Sequence, residues 1–203
     1  MSTALRALKK NYPDAHCALI HENSWQLLIA TMLSAQCTDD MVNKVTPVLF
    51  EAYTTPEALG GAPIGSVEKI VRPTGFYKNK ARAIKQTSQD LVDRYKSEVP
   101  RTMEELIELR GVGRKTANVV LGNAFNINFG VVVDTHVGRL SRRMGFTAEK
   151  DPIKVEQDLM GLVPQEDWTL ISHLFISHGR ALCSARKPLC DQCFLKRSCP
   201  KNL

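Results

Sequence analysis

Apolar residues recur along the chain at the three- and four-residue spacing of helices, and no segment alternates at the two-residue period of a strand. The apolar stripes are short, and residues that favour helix caps separate them. The residues at which a helix is predicted to begin are Ser24, Asp39, Thr55, Ser66, Asn79, Thr102, Asp134, Asp151 and Gln165. The pattern therefore predicts an all-α protein that is built from many short helices.

Two of these segments predict more than the start of a helix. Pro47 lies inside the stripe that begins at Asp39, so the helix there should kink or restart. The segment from Asn79 to Tyr95 predicts a longer helix. Its predicted inner face is Ala83, Ile84, Thr87, Leu91, Val92 and Tyr95.

The helix that begins at Thr102 runs into Leu-Arg-Gly-Val-Gly at 109–113, and a second helix leaves this bend. Gly111 suits the left-handed conformation that stops a helix, and Gly113 leaves the backbone open to a ligand. The first N–H groups of the second helix are unpaired and lie at the positive end of its dipole, which favours an anion. The residues predicted to bind the anion are Arg110, Gly111, Val112, Gly113 and Arg114.

Lys115 follows the bend in the first turn of the second helix, where a cation is electrostatically unfavourable, and Arg114 adds repulsion. Both effects favour the neutral amine, which is a nucleophile that can form Schiff bases. Two other interpretations remain open, because a Gly-x-Gly bend is not specific by itself. Lys115 could contact only a phosphate, or it could be a solvated surface lysine.

The chain has 203 residues, of which 43% are hydrophobic, and a formal net charge of +6. This charge suggests a polyanionic partner. No segment is long and apolar enough to cross a membrane, and the first ten residues read as an amphipathic helix rather than a signal peptide. We therefore expect a cytosolic protein in which disulfides are unfavourable.

Four of the six cysteines lie near the C-terminus, separated by six, two and five residues. This density of soft ligands predicts a metal site formed by Cys183, Cys190, Cys193 and Cys199. Zinc usually uses two Cys-x2-Cys pairs, and only one is present, so the spacing favours a [4Fe–4S] cluster over zinc and leaves disulfides third. The role of the metal at this site should be structural. Arg186 and Lys187, in the first gap, fit a phosphate contact or a solvated loop.

Several segments together resemble the endonuclease III family, the bifunctional DNA glycosylases/AP lyases of the helix-hairpin-helix superfamily. They are Leu-Ser-Ala-Gln at 33–36, Gly-Val-Gly-Arg-Lys-Thr-Ala-Asn-Val-Val at 111–120, Val-Asp-Thr-His-Val at 133–137, His-Gly-Arg at 178–180 and the four-cysteine spacing. They lie in register over nearly the whole chain, and their combination is far more specific than any one of them.

The resemblance implies two helical lobes, with a six-helix barrel and the hairpin at 23–131 and a cluster-bearing lobe made of 1–22 and 132–203. It implies that Lys115 is the nucleophile and Asp134 the catalytic carboxylate, although Asp134 also suits an N-cap. It implies that the four C-terminal cysteines ligate a [4Fe–4S] cluster. Gln36 would enter the duplex where the damaged base leaves, and Phe76 stands where a leucine wedge is common.

The implied activity is removal of oxidised pyrimidines from double-stranded DNA through a lysine Schiff base, followed by β-elimination. The implied protein is a monomer that acts on the nucleoid. A monofunctional glycosylase of the same superfamily and a non-catalytic DNA-binding module are the alternatives. Arg110 replaces a usual proline, Cys37 a small residue and Phe76 a leucine, so these positions bear on substrate range rather than on the class of reaction.

Overall fold

A computed structural model describes residues 1–202 of the chain. Eleven α-helices and three short 3₁₀ turns occur in these residues, and no strand does, which confirms the all-α prediction. The helices are α1 Ser2–Asn11, α2 Ser24–Leu33, α3 Asp39–Ala52, α4 Pro56–Gly61, α5 Ile64–Val71, α6 Tyr77–Tyr95, α7 Met103–Glu108, α8 Arg114–Phe125, α9 Thr135–Arg143, α10 Pro152–Leu162 and α11 Trp168–Ala181. None of these helices is long and apolar enough to span a bilayer.

The chain divides into two compact units. The hairpin unit is Ala18–Ile127, and the terminal unit combines Met1–Cys17 with the chain from Asn128 onward. The lobe boundaries expected from the family resemblance, at 22/23 and 131/132, remain a prediction.

The hairpin unit is built around α2, in which eight of the ten residues are buried. A helix that is apolar on all sides has to be surrounded, and α3, α6 and α8 pack against it. The short helices α4 and α5 cover α6. The hairpin helix α8 presents Ala117, Val120 and Leu121 to the core, as its spacing predicts.

The terminal unit packs α1 and α9 against α11, and α10 against α9. The ring of Phe175 is completely buried among aliphatic side chains from these helices. Lys9 donates to Asp167 over 2.7 Å and joins the end of α1 to the start of α11. Leu195, from the segment that holds the C-terminal cysteines, also belongs to this core.

Helix starts that depend on a local cap are predicted well. Side-chain caps occur as expected at Thr55, Thr102, Asp134 and Asp151. The cap of α2 is Asn23 rather than Ser24, because the Asn23 side chain accepts from the backbone N–H of Gln26. Helices α5 and α6 begin two residues before the predicted positions, at Ile64 and Tyr77, and no side chain caps either of them.

Pro47 does not interrupt its helix. Helix α3 continues from Asp39 to Ala52 with Pro47 inside it, so the predicted restart is wrong. The apolar residues Val42, Val45 and Leu49 are buried on both sides of the proline. Their packing holds the parts of α3 before and after Pro47 against the same core. The stability gained from this packing outweighs the loss of the backbone hydrogen bond that a proline removes.

Candidate active site

The bend at 109–113 is a tight turn between two helices. Helix α7 ends at Glu108, Val112 donates its N–H to the Leu109 carbonyl over 3.1 Å, and α8 begins at Arg114. This geometry confirms the helix–turn–helix prediction. Gly111 lies inside the turn, beyond the Leu109 cap, so it is not the residue that stops α7.

Two features make glycine necessary at position 111. Its φ of +79° lies in the left-handed region, and a Cβ there would come 3.2 Å from the Cβ of Ala83 and 3.4 Å from the Cε of Met32. The turn is therefore pressed against α6 and α2. The hydroxyl of Thr87 adds a hydrogen bond of 2.9 Å to the carbonyl of Arg110.

Gly113 serves a different purpose, because it faces open space. A Cβ at this position would meet no atom within 4 Å, and the φ of −99° suits any residue. Gly113 is the N-cap of α8 and provides no side chain to pair with the first N–H groups of that helix. The side chain of Val112 is buried and anchors the turn to the core. The turn thus offers backbone donors and a helix N-terminus to an anion.

Lys115 is the second residue of α8 and is exposed, as are Arg110 and Arg114 on either side of the turn. The Lys115 side chain therefore extends from the same helix end that offers the backbone donors. An amine in this position can reach a group that is attached to an anion bound at the turn.

Asp134 belongs to the terminal unit and caps α9. Its Oδ1 accepts from the backbone N–H of Val137 over 2.7 Å, which confirms the predicted N-cap. Ser172 on α11 donates to the carbonyl of Val132 over 2.9 Å and fixes the segment that leads to Asp134. The cap uses one carboxylate oxygen, so it is compatible with a chemical role for the other.

His173 lies near enough to sense the charge of Asp134. Burial lowers the pKa of His173 from 6.5 to about 4, His16 lowers it as well, and Asp134 partly opposes both effects. The imidazole next to the carboxylate is therefore neutral at pH 7.

Gln36 and Phe76 lie in the hairpin unit and share an uncommon backbone conformation. Their φ angles are +53° and +47°, in the left-handed region that residues other than glycine seldom adopt. Both are exposed, and Phe76 keeps 66% of its surface accessible. A large apolar side chain that is held outward in this way is suited to contact a partner.

Sequence reasoning missed three basic residues on α6. Lys80 is buried, and the structure places it between the segments that carry Gln36 and Phe76. Arg82 and Lys85 line an open cleft together with Arg110. A signal for Lys80 was present, because it lies four residues before Ile84 and thus in the buried stripe of the helix.

The four C-terminal cysteines come together in the terminal unit. Cys183, Cys190, Cys193 and Cys199 line one pocket with apolar neighbours that include Met144 and Leu195. None of the six cysteines of the described chain is in a disulfide. Cys17 and Cys37 are partly exposed, and both lie in connecting segments instead of helices.

N–H donors approach two of the sulfur atoms in this pocket, those of Cys183 and Cys193. Arg143 reaches the Sγ of Cys183 over 3.5 Å, and the Leu195 N–H reaches the Sγ of Cys193 over 3.4 Å. The Nε2 atom of His178 lies 3.6 Å from the Sγ of Cys193. Apolar walls and N–H donors that point at sulfur are the surroundings in which proteins hold iron–sulfur clusters. Residues 1–202 contain no group of three His, Cys, Asp or Glu side chains arranged for a single metal ion.

Arg186 and Lys187 are exposed in the loop between the first two of these cysteines. Ser184 shapes this loop by donating to the Lys187 carbonyl over 2.7 Å and accepting the Lys187 N–H over 3.3 Å. Arg143 fixes the other side of the loop by donating to the carbonyls of Ser184 and Ala185, each over 2.7 Å. The two cations therefore project from a short braced loop.

Comparisons with known proteins identify the family of the chain. Residues 29–165 match the model of the HhH-GPD superfamily base excision DNA repair proteins. Endonuclease III of Synechocystis sp. is 53% identical over 97% of this chain and 90% of its own length. Two solved structures, a non-covalent endonuclease III–DNA complex and a trapped endonuclease III–DNA covalent intermediate, match with a TM-score of 0.93 at 46% identity, over 98% of this chain and 94% of theirs.

The family match covers the hairpin, Lys115 and Asp134, and the Synechocystis relative matches 97% of the chain. The chain belongs to the endonuclease III family of HhH-GPD base excision DNA repair proteins.

Proposed function

We propose that Lys115 and Asp134 carry the DNA glycosylase and AP lyase activity of this family member, and that its lesions are oxidised pyrimidines in double-stranded DNA. The observation that carries the proposal is the exposed lysine in the first turn of α8, directly after a turn that is open to an anion. A DNA phosphate held by the backbone of Gly111, Val112 and Gly113 would present its sugar to the Lys115 amine.

The reaction begins when the Nζ atom of Lys115 attacks C1′ of the flipped nucleotide. The bond from C1′ to the damaged base breaks, and the electron pair leaves with the base, which takes up a proton. Asp134 as a carboxylate accepts the proton of the amine and stabilises the positive charge that develops on the sugar. Opening of the sugar ring then gives a Schiff base between Lys115 and C1′.

The Schiff base makes the C2′ proton acidic. Loss of this proton to a base forms a C2′–C3′ double bond and expels the 3′ phosphate, which breaks the strand on the 3′ side of the lesion. Water then hydrolyses the Schiff base and releases Lys115. A monofunctional glycosylase would release the base with water and would lack this lyase step.

Borohydride trapping on an abasic duplex tests the assignment, because it reduces a Schiff base to a stable covalent adduct. The wild-type protein should give the adduct, and Lys115→Gln should reduce it by at least about a thousandfold, as expected for loss of the nucleophile. Arg114→Gln is the matched control, since it removes the neighbouring cation but retains adduct formation at saturating DNA. An undiminished adduct in Lys115→Gln would refute the role of this lysine.

Asp134 can be tested without loss of the helix cap, because asparagine caps as well as aspartate. Asp134→Asn should slow base release by about a hundredfold while DNA affinity and unfolding free energy stay near the wild-type values. Asp151→Asn is the control at the N-cap of α10 in the same unit. Equal rates in the two variants would show that Asp134 is only a cap.

Gln36 and Phe76 are proposed to fill the duplex where the nucleotide leaves the stack. Their support is their exposure and their outward left-handed backbone. Arg110, Arg114, Arg186 and Lys187 are proposed phosphate contacts, so affinity should fall steeply with salt. We also propose that the protein acts as a monomer on the nucleoid, where this substrate is found.

Cys183, Cys190, Cys193 and Cys199 are proposed to ligate a [4Fe–4S] cluster, since they line one pocket with N–H donors around the sulfur atoms. Such a cluster would cross-link residues 183–199, and its redox capacity is not needed at the sugar. Protein purified without oxygen should contain about four iron and four sulfide per chain, the stoichiometry of this cluster type. One zinc and no sulfide would contradict this assignment and leave the chemistry of Lys115 unaffected.

A further inference from the structure

Lys80 is buried, and packing alone does not require a lysine at this position. It lies in the first turn of α6 with 8% of its surface exposed. Its Nζ atom donates to the carbonyl of Leu33 over 2.7 Å and to the carbonyl of Thr74 over 2.7 Å. Lysines are almost never this buried unless they are paired, and here both acceptors are neutral backbone groups.

These two carbonyls lie at the bases of two different segments. Leu33 is the last residue of α2 and precedes Gln36 by three positions, and Thr74 precedes Phe76 by two. The nearby backbone hydrogen bonds of Cys37 to Ser34 and of Gly75 to Arg72 stay within one segment each. The Lys80 ammonium group instead joins the two segments to each other.

Both segments have a reason to need support. Gln36 and Phe76 adopt left-handed backbone, which is unfavourable for residues that carry a side chain and persists where the surroundings impose it. The carbonyl of Leu33 lies at the C-terminal end of α2, where carbonyls lack helical partners and a cation is favourable. A methionine at position 80 could fill the same volume but would leave both carbonyls without this donor.

Burial of Lys80 has an energetic cost. Burial lowers the pKa of the Lys80 ammonium from its usual value, and the thiol of Cys37 acts in the opposite direction. The fold accepts the cost of burying this group, which indicates that the two hydrogen bonds compensate for it.

We propose that Lys80 is a positioning residue that couples Gln36 to Phe76, so that the two side chains enter the duplex as one unit. The inference rests on the proposed function, because it assumes that these residues fill the gap left by the flipped nucleotide. Lys80 is buried, so it acts through these two side chains rather than on the DNA itself. It sets the spacing of two side chains that must occupy one gap in the base stack.

A double-mutant cycle measures this coupling. The cycle compares Gln36→Ala, Phe76→Ala and the double variant, first in the wild-type background and then in the Lys80→Met background. The two measurements are the rate of single-turnover base release and the fluorescence of 2-aminopurine placed opposite the lesion. In the wild-type background the double variant should be no slower than the slower single variant, because residues that act as a unit are not additive. In the Lys80→Met background the two effects should multiply.

Lys80→Met alone should slow base release by about tenfold through misplacement of the inserted side chains, with affinity for undamaged duplex within about twofold of wild type. Lys44→Met removes one exposed lysine from α3 and controls for the change in net charge. If Lys80→Met does not fold, Lys80→Arg should retain the coupling and Lys80→Gln, with a shorter side chain, should lose it. Wild-type coupling in every Lys80 variant that folds would overturn the inference.

Trapping on an abasic duplex separates this inference from the proposed function, since that reaction needs no base to be expelled. No adduct from wild-type protein would sink the proposed function. A normal adduct, together with wild-type coupling between Gln36 and Phe76 in the Lys80 variants, would contradict only the role of Lys80. A normal adduct with Gln36→Ala and Phe76→Ala both at the wild-type rate would overturn it as well.

Discussion

The turn at 109–113 and the cysteine segment at 183–199 both present functional groups on irregular backbone, but they are held in different ways. The turn is held by its neighbours in sequence and by close packing, with Val112 buried beneath it and Gly111 against α6. The cysteine segment has one 3₁₀ turn, Cys190–Gln192, as regular structure. Arginine side chains from α9 hold its first loop by hydrogen bonds to carbonyls.

This difference separates two ways of building a site. The turn exists before any ligand arrives, because glycine conformations and helix ends define it. The cysteine segment contributes one buried apolar residue, Leu195, so side-chain donors and the proposed cluster have to replace a core. Damage to the open side of the turn should alter DNA binding, and damage to the cysteine segment should alter stability.

Arg143 gives the largest expected effect on stability. It donates to the carbonyls of Ser184 and Ala185 and to the sulfur of Cys183. Arg143→Met should lower the free energy of unfolding by about 3 kcal/mol, the scale for losing several charged hydrogen bonds at a partly exposed site. Urea unfolding measures this loss, and faster release of iron should accompany it.

The matched control is Arg142→Met on the same helix. Arg142 makes one long contact, 3.4 Å to the carbonyl of Glu149, so its removal should cost less than about 1 kcal/mol. Equal losses in the two variants would mean that α9 itself, rather than its contacts with the cysteine segment, sets the stability of this region.

Acid should weaken the terminal unit through His173. The folded pKa of about 4 lies below the unfolded value of 6.5, so the contribution of His173 is complete above pH 6.5 and is lost as the pH falls toward 4. At pH 5 the loss should be at most about 2 kcal/mol, because the ring is not completely buried. Unfolding followed between pH 7 and 4.5 measures it.

His173→Gln should remove only its own share of this pH dependence, because burial also lowers the pKa of His178 in the same unit to about 4. His21→Gln in the hairpin unit should leave the acid sensitivity of the terminal unit unchanged. Hydrogen exchange read separately for the two units would show whether the acid-labile amides lie in the terminal unit. Equal acid sensitivity of amides in the hairpin unit would break the comparison, since it would place the labile group elsewhere.

The sequence is sufficient where structure depends on neighbouring residues. Thr55, Thr102 and Asp151 cap their helices as predicted, because each side chain bonds to the backbone two or three residues later. The turn at 109–113 is predicted by its own glycines, and packing against α6 and α2 then holds it. The predicted all-α fold and family follow from such segments taken together.

The sequence is insufficient where distant contacts override local preference. Helix α6 buries Lys80, Ala81 and Ser88, whereas Ala83, Val92 and Tyr95 of its predicted inner face are partly exposed. Lys80 is stabilised by carbonyls from other segments, which periodicity does not reveal. Arg143, which supports the cysteine loop, is 41 residues away in sequence from Ser184 and 42 residues away from Ala185, whose carbonyls it binds.

Substitutions of the two glycines of the turn should have small effects on stability. They should also separate the residue that supports the turn from the residue that admits the ligand. Gly111→Ala should lower the unfolding free energy by about 1–2 kcal/mol, because the left-handed backbone and the contact with Ala83 both resist a Cβ. Gly113→Ala should change it by less than about 0.5 kcal/mol, since the backbone is permitted and the space is open.

DNA affinity should follow the opposite order. The methyl group of Gly113→Ala occupies the approach to the donors of α8, so affinity for an abasic duplex should fall by about tenfold, a loss of about 1.4 kcal/mol. Gly111→Ala should bind more nearly like wild type wherever it is folded, because its methyl group faces α6 and α2 rather than the ligand. Fluorescence anisotropy at several salt concentrations measures both. Wild-type affinity in Gly113→Ala would mean that the phosphate does not approach the turn from its open side, and the exposed amine of Lys115 would then need another anchor to bring a sugar within reach.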